Sequence, residues 1–222
     1  MRRIIVALTC IAALAPTAAR AQDLADYDYE NLSFRGVGFA YGRIWPNRVE
    51  PTGIYTLRAD LGYFGPALRI APSISYWSST FRRRELAEMA DKLSELPALQ
   101  DAGVVLTADD LGTIRWSDLS IGLDAHVVWT APFSVLGYLG TGVGVHALNG
   151  RGDAIAHTFV EDLLDNTTAG VSALAGLEFQ PVPRFRLFGE ARYTIISDAR
   201  YPELKIGGAL MVPAHAAAQG DR

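Results

Sequence analysis

The sequence holds a single cysteine, Cys10, among 222 residues, which excludes a disulfide-stapled scaffold. No run of about 18 or more consecutive apolar residues occurs, so membrane-spanning helices are excluded too. Charged residues make up only 20% of the chain against 50% hydrophobic, with a formal net charge of −4, a balance foreign to disordered chains. Basic residues are scattered and outnumbered by acidic ones, 20 against 24, so there is no cationic stripe for nucleic acid. No His or Cys pair has ligand spacing, and Asp109-Asp110 is a lone acidic dipeptide; no metal and no cofactor is implied. What remains fits one domain, since a single barrel can use roughly 200–250 residues without splitting.

The chain opens with the basic Met1-Arg2-Arg3, an apolar run from Ile4 to Ala15, a break at Pro16-Thr17, and the small-residue pattern Ala19-Arg20-Ala21. This is a three-part export signal with cleavage expected after Ala21. Removing Arg2, Arg3 and Arg20 moves the formal charge from −4 to −7. A lipoprotein signal is not supported, because Leu8-Thr9-Cys10 sets the cysteine too early and puts Thr where a smaller residue is needed. The organisation expected is a signal over 1–21, one domain over 22–213 and a tail over 214–222.

Period-two patterning then fills the chain, the mark of strands with two unlike faces. The segments are Phe34 to Trp45, Ile54 to Phe64, Leu68 to Tyr76, Trp116 to Thr130, Val135 to Leu148, Ala169 to Gln180, Phe185 to Ser197 and Leu204 to Val212. In the second, Tyr55, Leu57, Ala59, Leu61 and Tyr63 alternate with Thr56, Arg58, Asp60 and Gly62. Eight is an even number that closes without an edge. Connections alternate as well: Gly65-Pro66, Ala131 to Ser134 and Pro181 to Arg184 are short, while Pro46 to Gly53, Ser78 to Ile114 and Asn149 to Thr168 are long; Asp198 to Glu203 is modest. Short turns on one rim and long loops on the other describe an antiparallel, up-and-down, all-β transmembrane barrel with its termini on the short-turn side. Thr107 to Ile114 either extends the fourth strand or belongs to the loop before it.

Period alone does not say which face meets lipid, since a soluble barrel also has one apolar face. Most segments run about 10–13 residues, enough for a tilted strand to cross a band of roughly 25 Å. Aromatics gather near segment ends (Trp45, Tyr63, Tyr76, Trp129, Phe133, Phe179), as interfacial girdles require. The other face carries Arg58, Asp60, Arg69, Asp124, Glu178, Arg186, Glu190, Arg192 and Lys205. Buried ions must be paired, and two hairpin folds are expected to bring Glu178 beside Arg186 and Asp60 near Arg69. Glycines at 36, 38 and 42 and at 140, 142 and 144 clear two interior walls for long arginines, Trp77 or Phe188. An eight-stranded interior is just wide enough for side chains to fill, so a lumen plugged by paired charges is expected.

On these features the chain resembles the small eight-stranded outer-membrane barrels, the OmpA-like and related porin-family proteins. In the last segment Lys205, Gly207, Leu210 and Val212 fit the insertion signal that such proteins present to the barrel-assembly machinery. The final apolar residue is Val212 where the family has an aromatic, and Pro213 to Arg222 trail behind it. No periplasmic peptidoglycan-binding domain follows. The resemblance implies a monomer in the bacterial outer membrane, in contact with outer-membrane lipid and lipopolysaccharide.

Arg83 to Leu96 sets Leu86, Met89, Ala90, Leu93 and Leu96 on one helical stripe, predicting a short helix in the second external loop. The preferred reading has it covering the loop's own apolar residues; the alternative has it capping the barrel mouth or docking a partner. Arg82, Arg83 and Arg84 are candidates for lipopolysaccharide phosphates, which Arg forks suit, or form a solvated cluster. An enzyme would need Ser, His and carboxylate within hydrogen-bond reach; Ser120, Asp124 and His126 share a face with His146 beside them, but that face is the lumen, and paired interior histidines are the expectation. Arg151-Gly152-Asp153 is read as a turn between charges, and Asn166-Thr167-Thr168 carries no glycan in such a context. The reading preferred is a non-enzymatic barrel with a structural or surface-interaction role; a narrow channel for small or hydrophobic solutes and a lipid-modifying barrel enzyme stand as alternatives.

Overall fold

The computed structural model describes residues 32–65, 67–131 and 135–212. The export signal, Pro66, Phe133 and the 214–222 tail lie outside the described residues. Eight strands form: β1 (Gly36–Ile44), β2 (Thr52–Asp60), β3 (Leu68–Thr80), β4 (Arg115–Ala131), β5 (Val135–Arg151), β6 (Asn166–Val182), β7 (Phe185–Ile196) and β8 (Arg200–Met211). Each pairs antiparallel with the next, and β8 returns to β1 with Gly36 facing Met211 and Ile44 facing Glu203, closing the barrel. Closure answers a backbone demand: in hydrocarbon every N–H and C=O must find a partner, and a barrel has no edge to leave bare.

The alternating pattern becomes two unlike surfaces. Leu57, Ile121 and Val143 point outward at 50%, 62% and 61% exposure, while Arg58, Asp124 and Glu190 are buried at 7%, 1% and 3%. A soluble barrel would invert this, because an exposed apolar surface of such extent is costly in water. The outer wall is therefore built for lipid. It carries its own aromatic ladder, with Tyr55 5.2 Å from Tyr41 and 6.4 Å from Phe39 between ring centroids.

Strand limits differ from the periodic reading where backbone conformation intervenes. β2 stops at Asp60, short of Phe64, because Gly62 and Gly65 take positive φ of 74° and 93°, which only glycine adopts freely. Tyr63 keeps one isolated bridge to Arg69. The β3–β4 ladder runs through Pro72 opposite Leu123, whereas the β2–β3 ladder stops at Arg58 opposite Ser73; the proline's missing N–H thus falls on the β2 side. β4, β5 and β6 each reach 17 residues, longer than a bilayer crossing needs; on the long-loop side β3 ends level with β4, Thr80 facing Arg115.

Helices occupy that side. α1 (Arg83–Ser94), α2 (Pro97–Asp101) and α3 (Ala108–Leu111) lie between β3 and β4, and α4 (Phe159–Leu164) lies between β5 and β6. The second external loop was expected to hold one helix and holds three. Thr107 to Ile114 is not strand: Thr107 and Asp110 form a capping box that starts α3, and the Thr107 N–H and O–H donated to Asp110 hold its carboxyl below the usual carboxylate range.

The α1 stripe combines the two readings. Leu86, Ala90 and Leu93 are buried in one cluster that holds the loop's own Phe81, Leu111 and Ile114 together with Ile44, Ile54, Trp77, Trp116, Leu148, Ile196 and Tyr201. The helix covers apolar residues of its own loop, as the preferred reading has it, and the same cluster continues into the barrel mouth.

Candidate functional site

Alternation along the strands projects the polar positions into a narrow interior, where they form a continuous ionic layer. Glu178 on β6 is its hub. Arg69 on β3 donates a fork to it at 2.7 and 2.8 Å, and Arg58 on β2 and Arg186 on β7 donate at 3.0 and 3.1 Å. Arg186 also reaches Asp60 at 3.1 Å, with Arg69 at 3.9 Å from the same carboxylate. Glu190 is the second hub: Lys205 and Arg192 each stand 3.1 Å from Oε1, and the Tyr138 hydroxyl donates to Oε2 at 2.8 Å. Arg58 links the two hubs through Glu190 Oε2 at 3.4 Å. Arg192 then forks onto Asp124 on β4 at 3.0 and 2.5 Å. All nine charged positions singled out from the sequence fall within this layer, and both expected pairs, Glu178 with Arg186 and Asp60 with Arg69, meet.

Sequence reasoning missed one member. Glu203 lies 2.9 Å from Lys205 Nζ and is 3% exposed, yet the reading placed it at the end of a loop because Pro202 interrupts the segment. Carrying period two back past Pro202 would have set Tyr201 and Glu203 on the face of Lys205. With Glu203 included, five cations (Arg58, Arg69, Arg186, Arg192, Lys205) meet five carboxylates (Asp60, Asp124, Glu178, Glu190, Glu203), and the layer is electrically balanced. Balance is what buried charge requires, because an unpaired ion there costs several kcal/mol.

Aromatic rings seat the guanidiniums. Arg58 lies 4.0 Å over Phe188, and Arg69 5.2 Å over Tyr138, which also stacks on His126 at 4.8 Å. Such contacts add to ion pairing when desolvated. Two glycines make the room. A Cβ on Gly142 would fall on the Asp124 carboxylate and 2.6 Å from Ser172 Oγ, and one on Gly207 would sit 2.5 Å from the Phe188 ring.

The two lumen histidines belong to different polar clusters. His126 Nδ1 accepts from Arg69 at 3.1 Å; because Arg only donates, that nitrogen carries no proton. His146 Nδ1 donates to Asp118 at 2.8 Å. Asp124 is engaged by Arg192, and among the described residues no side-chain hydrogen bond joins Ser120 to either histidine, although Ser120 and His146 face each other across the β4–β5 ladder. The nucleophilic constellation considered from sequence is not assembled.

Above the ions, Asp118 gathers the mouth. Its Oδ2 accepts from Trp77 Nε1 at 3.1 Å, from His146, and from the Tyr201 hydroxyl at 3.4 Å. Trp77 meets Trp116 and Tyr201 edge-on, each at 5.9 Å, and the α1 stripe closes over them. Outside this lid, Arg82 donates to the Pro46 carbonyl at 3.1 Å, while Arg83 pairs with Asp109 and Arg84 with Glu85, both at 2.8 Å. The side chains of Arg83 and Arg84 stay 79% and 75% exposed. Arg151 ends β5 and donates to Asn149 at 2.9 Å.

Comparison with solved structures places the architecture. The barrel aligns with neisserial surface protein A (NspA) at a TM-score of 0.51 and 15% identity, over 80% of this chain and 97% of that one. The fold is that of a small eight-stranded outer-membrane β-barrel. Ail, the attachment invasion locus protein of Yersinia pestis, solved with the heparin analogue sucrose octasulfate, aligns at 0.48 and 13% identity over 81% of this chain and 99% of that one. The N-terminal β-barrel domain of Pseudomonas aeruginosa OprF aligns at 0.45 and 9% identity over 80% of this chain and 97% of that one. No family model matches the sequence, and no curated protein is similar to it in sequence.

Proposed function

We propose that this barrel is a non-enzymatic, non-conducting, monomeric protein of a bacterial outer membrane, its lumen plugged by the paired charges and its external loops serving a structural or surface-interaction role. The observation that carries the reading is closure of the interior at three heights. Tyr63, Val128, Tyr138 and Leu174 pack together toward the short-turn rim, the ionic layer crosses the middle, and the Trp77–Trp116–Tyr201 group seals the mouth. The cavity between ions and lid measures about 40 Å³, room for a few waters at roughly 10–15 Å³ each. Purified protein in planar bilayers tests this: the expected record is a quiet baseline, whereas steady ohmic openings would move the assignment to a narrow channel. Hydrolysis or acyl transfer on lipid A or phospholipid by the same preparation would reverse the non-enzymatic part.

Two contacts follow from the placement of particular residues. Arg83 and Arg84 reach solvent on the loop face, where surface ion pairs are worth only about 0–1 kcal/mol and lipopolysaccharide phosphates can displace their partners; Arg82 is tied to backbone and positions the segment. A variant carrying R83E and R84E should retain less lipopolysaccharide through purification, and undiminished retention contradicts the contact. The β8 positions Leu210 and Val212 lie outward at 64% and 46% exposure while Lys205 lies inward, the two-faced presentation that suits recognition by the barrel-assembly machinery.

A further inference from the structure

An arginine interrupts the apolar outer wall of β1. The outward positions there are Val37, Phe39, Tyr41 and Arg43, with Trp45 just beyond, and Arg43 is exposed among them. In register it faces Gly53 on β2 and Leu204 on β8. The side chains around it on that face are uncharged: Tyr41 and Trp45 along its own strand, Tyr55 beyond Gly53 on β2, and Leu204 and Ile206 on β8. Glu203, next to Leu204, is turned inward onto Lys205. Among the described residues Arg43 has no carboxylate at ion-pair distance and no side-chain hydrogen bond.

The tyrosines below it set its depth. Tyr41 faces Tyr55, and Tyr55 faces Tyr76, in register across three adjacent strands on the long-loop half of the wall. Tyr and Trp gather where acyl chains give way to head groups, so Arg43, between Tyr41 and Trp45, stands at that boundary. An arginine there lays its stem against the apolar layer and its guanidinium among head groups. Tyr41 leans toward the same spot. A Cβ on Gly53 would sit 2.9 Å from the Tyr41 hydroxyl and 3.0 Å from its ring, so the ring lies over Gly53, directly beside Arg43. Facing Cβ positions in an antiparallel pair are about 4.5–5.5 Å apart, which puts the hydroxyl within about 8 Å of the Arg43 Cβ. That hydroxyl makes no hydrogen bond among the described residues. A guanidinium fork and one O–H can therefore close on a single acceptor group.

We propose that Arg43 and Tyr41 bind the phosphomonoester head of an outer-leaflet lipid, whose acyl chain runs down the wall over Leu204, Ile206 and Phe39. A phosphomonoester carries about −1.5 to −2 charges and three terminal oxygens, which match a forked cation and one hydroxyl; a diester offers fewer oxygens and less charge. Leu204, Ile206 and Phe39 are 56%, 74% and 54% exposed, an apolar track leading away from the cation. The site is on the barrel wall, apart from Arg83 and Arg84 in the loop, and it rests on the reading that this wall meets the outer leaflet.

The test titrates the protein in dodecylmaltoside micelles with dimyristoyl phosphatidate or dimyristoyl phosphatidylcholine and counts bound lipid by native mass spectrometry. The parent should take one phosphatidate about fivefold more tightly than phosphatidylcholine. R43Q should lose about fivefold in phosphatidate affinity, the upper end for an exposed ion pair. Y41F should lose about threefold, the share of one hydrogen bond, and neither variant should move phosphatidylcholine. R151Q removes another exposed arginine that has no carboxylate at ion-pair distance and should match the parent. Heat-modifiable gel migration reports that each variant has formed its barrel. R43Q binding phosphatidate as the parent does, or R151Q losing as much as R43Q, would overturn the site. Inorganic phosphate displacing phosphatidate at equal concentration would overturn a lipid as the ligand. Failure of the outer-wall reading looks different: the parent would then bind neither lipid.

Discussion

Glu178→Gln is the perturbation that weighs most directly on the ionic layer. The change keeps shape and removes one charge. It leaves Arg69, which is wholly buried, without its fork at 2.7 and 2.8 Å, and takes a partner from Arg58 and Arg186. Removing one member of a buried ion group costs about 3–5 kcal/mol. Here the lower end applies, because Asp60 remains 3.1 Å from Arg186 and 3.9 Å from Arg69, and Glu190 remains 3.4 Å from Arg58. The expected loss is thus about 3 kcal/mol, measured by urea unfolding of the barrel in vesicles of fixed lipid composition, followed by tryptophan fluorescence and gel migration. The companion Arg69→Met removes a cation of similar length. In the double variant the layer is balanced again, so the two losses should fall short of additivity by about 2 kcal/mol, within the range of directly coupled residues. A single-variant loss below about 1 kcal/mol, or additivity within about 0.5 kcal/mol, would refute the idea that charge balance, and not mere packing, holds the interior.

Three further outcomes are expected. Ile121→Arg, on the lipid face at 62% exposure, should destabilise the barrel by about 2–4 kcal/mol in the same unfolding assay. Gly142→Val should cost about 1–3 kcal/mol by overpacking, since its Cβ lands on the Asp124 carboxylate, whereas Gly144→Ala, with nothing nearer than 3.1 Å, should cost clearly less. Trp77→Ala should cost about 3–5 kcal/mol and expose the loops to protease while leaving the heat-modifiable band, because the lid and not the barrel wall is breached.

Much of this molecule was legible in its sequence because lipid imposes a strict period. Leu57 and Arg58 are neighbours that must face opposite ways, and a one-residue slip would carry a guanidinium into hydrocarbon; the inside and outside of every strand follow from that cost. Hairpin arithmetic was equally direct for Glu178 and Arg186, whose connecting turn is short. The parts not legible depended on long-range placement. The α1 stripe announced a helix that covers its own loop, but nothing local said that the same cluster would continue into the barrel through Trp77, Trp116 and Tyr201. Glu203 was hidden behind Pro202, a residue that ends most strands but is tolerated where its ring faces outward and its carbonyl still accepts from Trp45. His146 was set on the strand beside Ser120, Asp124 and His126 by face alone, whereas depth along β4 decides that Asp118 meets it.

The central claim is that apolar side chains face acyl chains while ions surround the barrel axis. Spin labels at Leu57→Cys, Ile121→Cys and Val143→Cys in bilayers, compared for oxygen and water-soluble nickel-chelate accessibility, test it most directly. The account predicts high oxygen and negligible chelate accessibility at all three positions. Labels at those positions that relax freely with the aqueous chelate would contradict it.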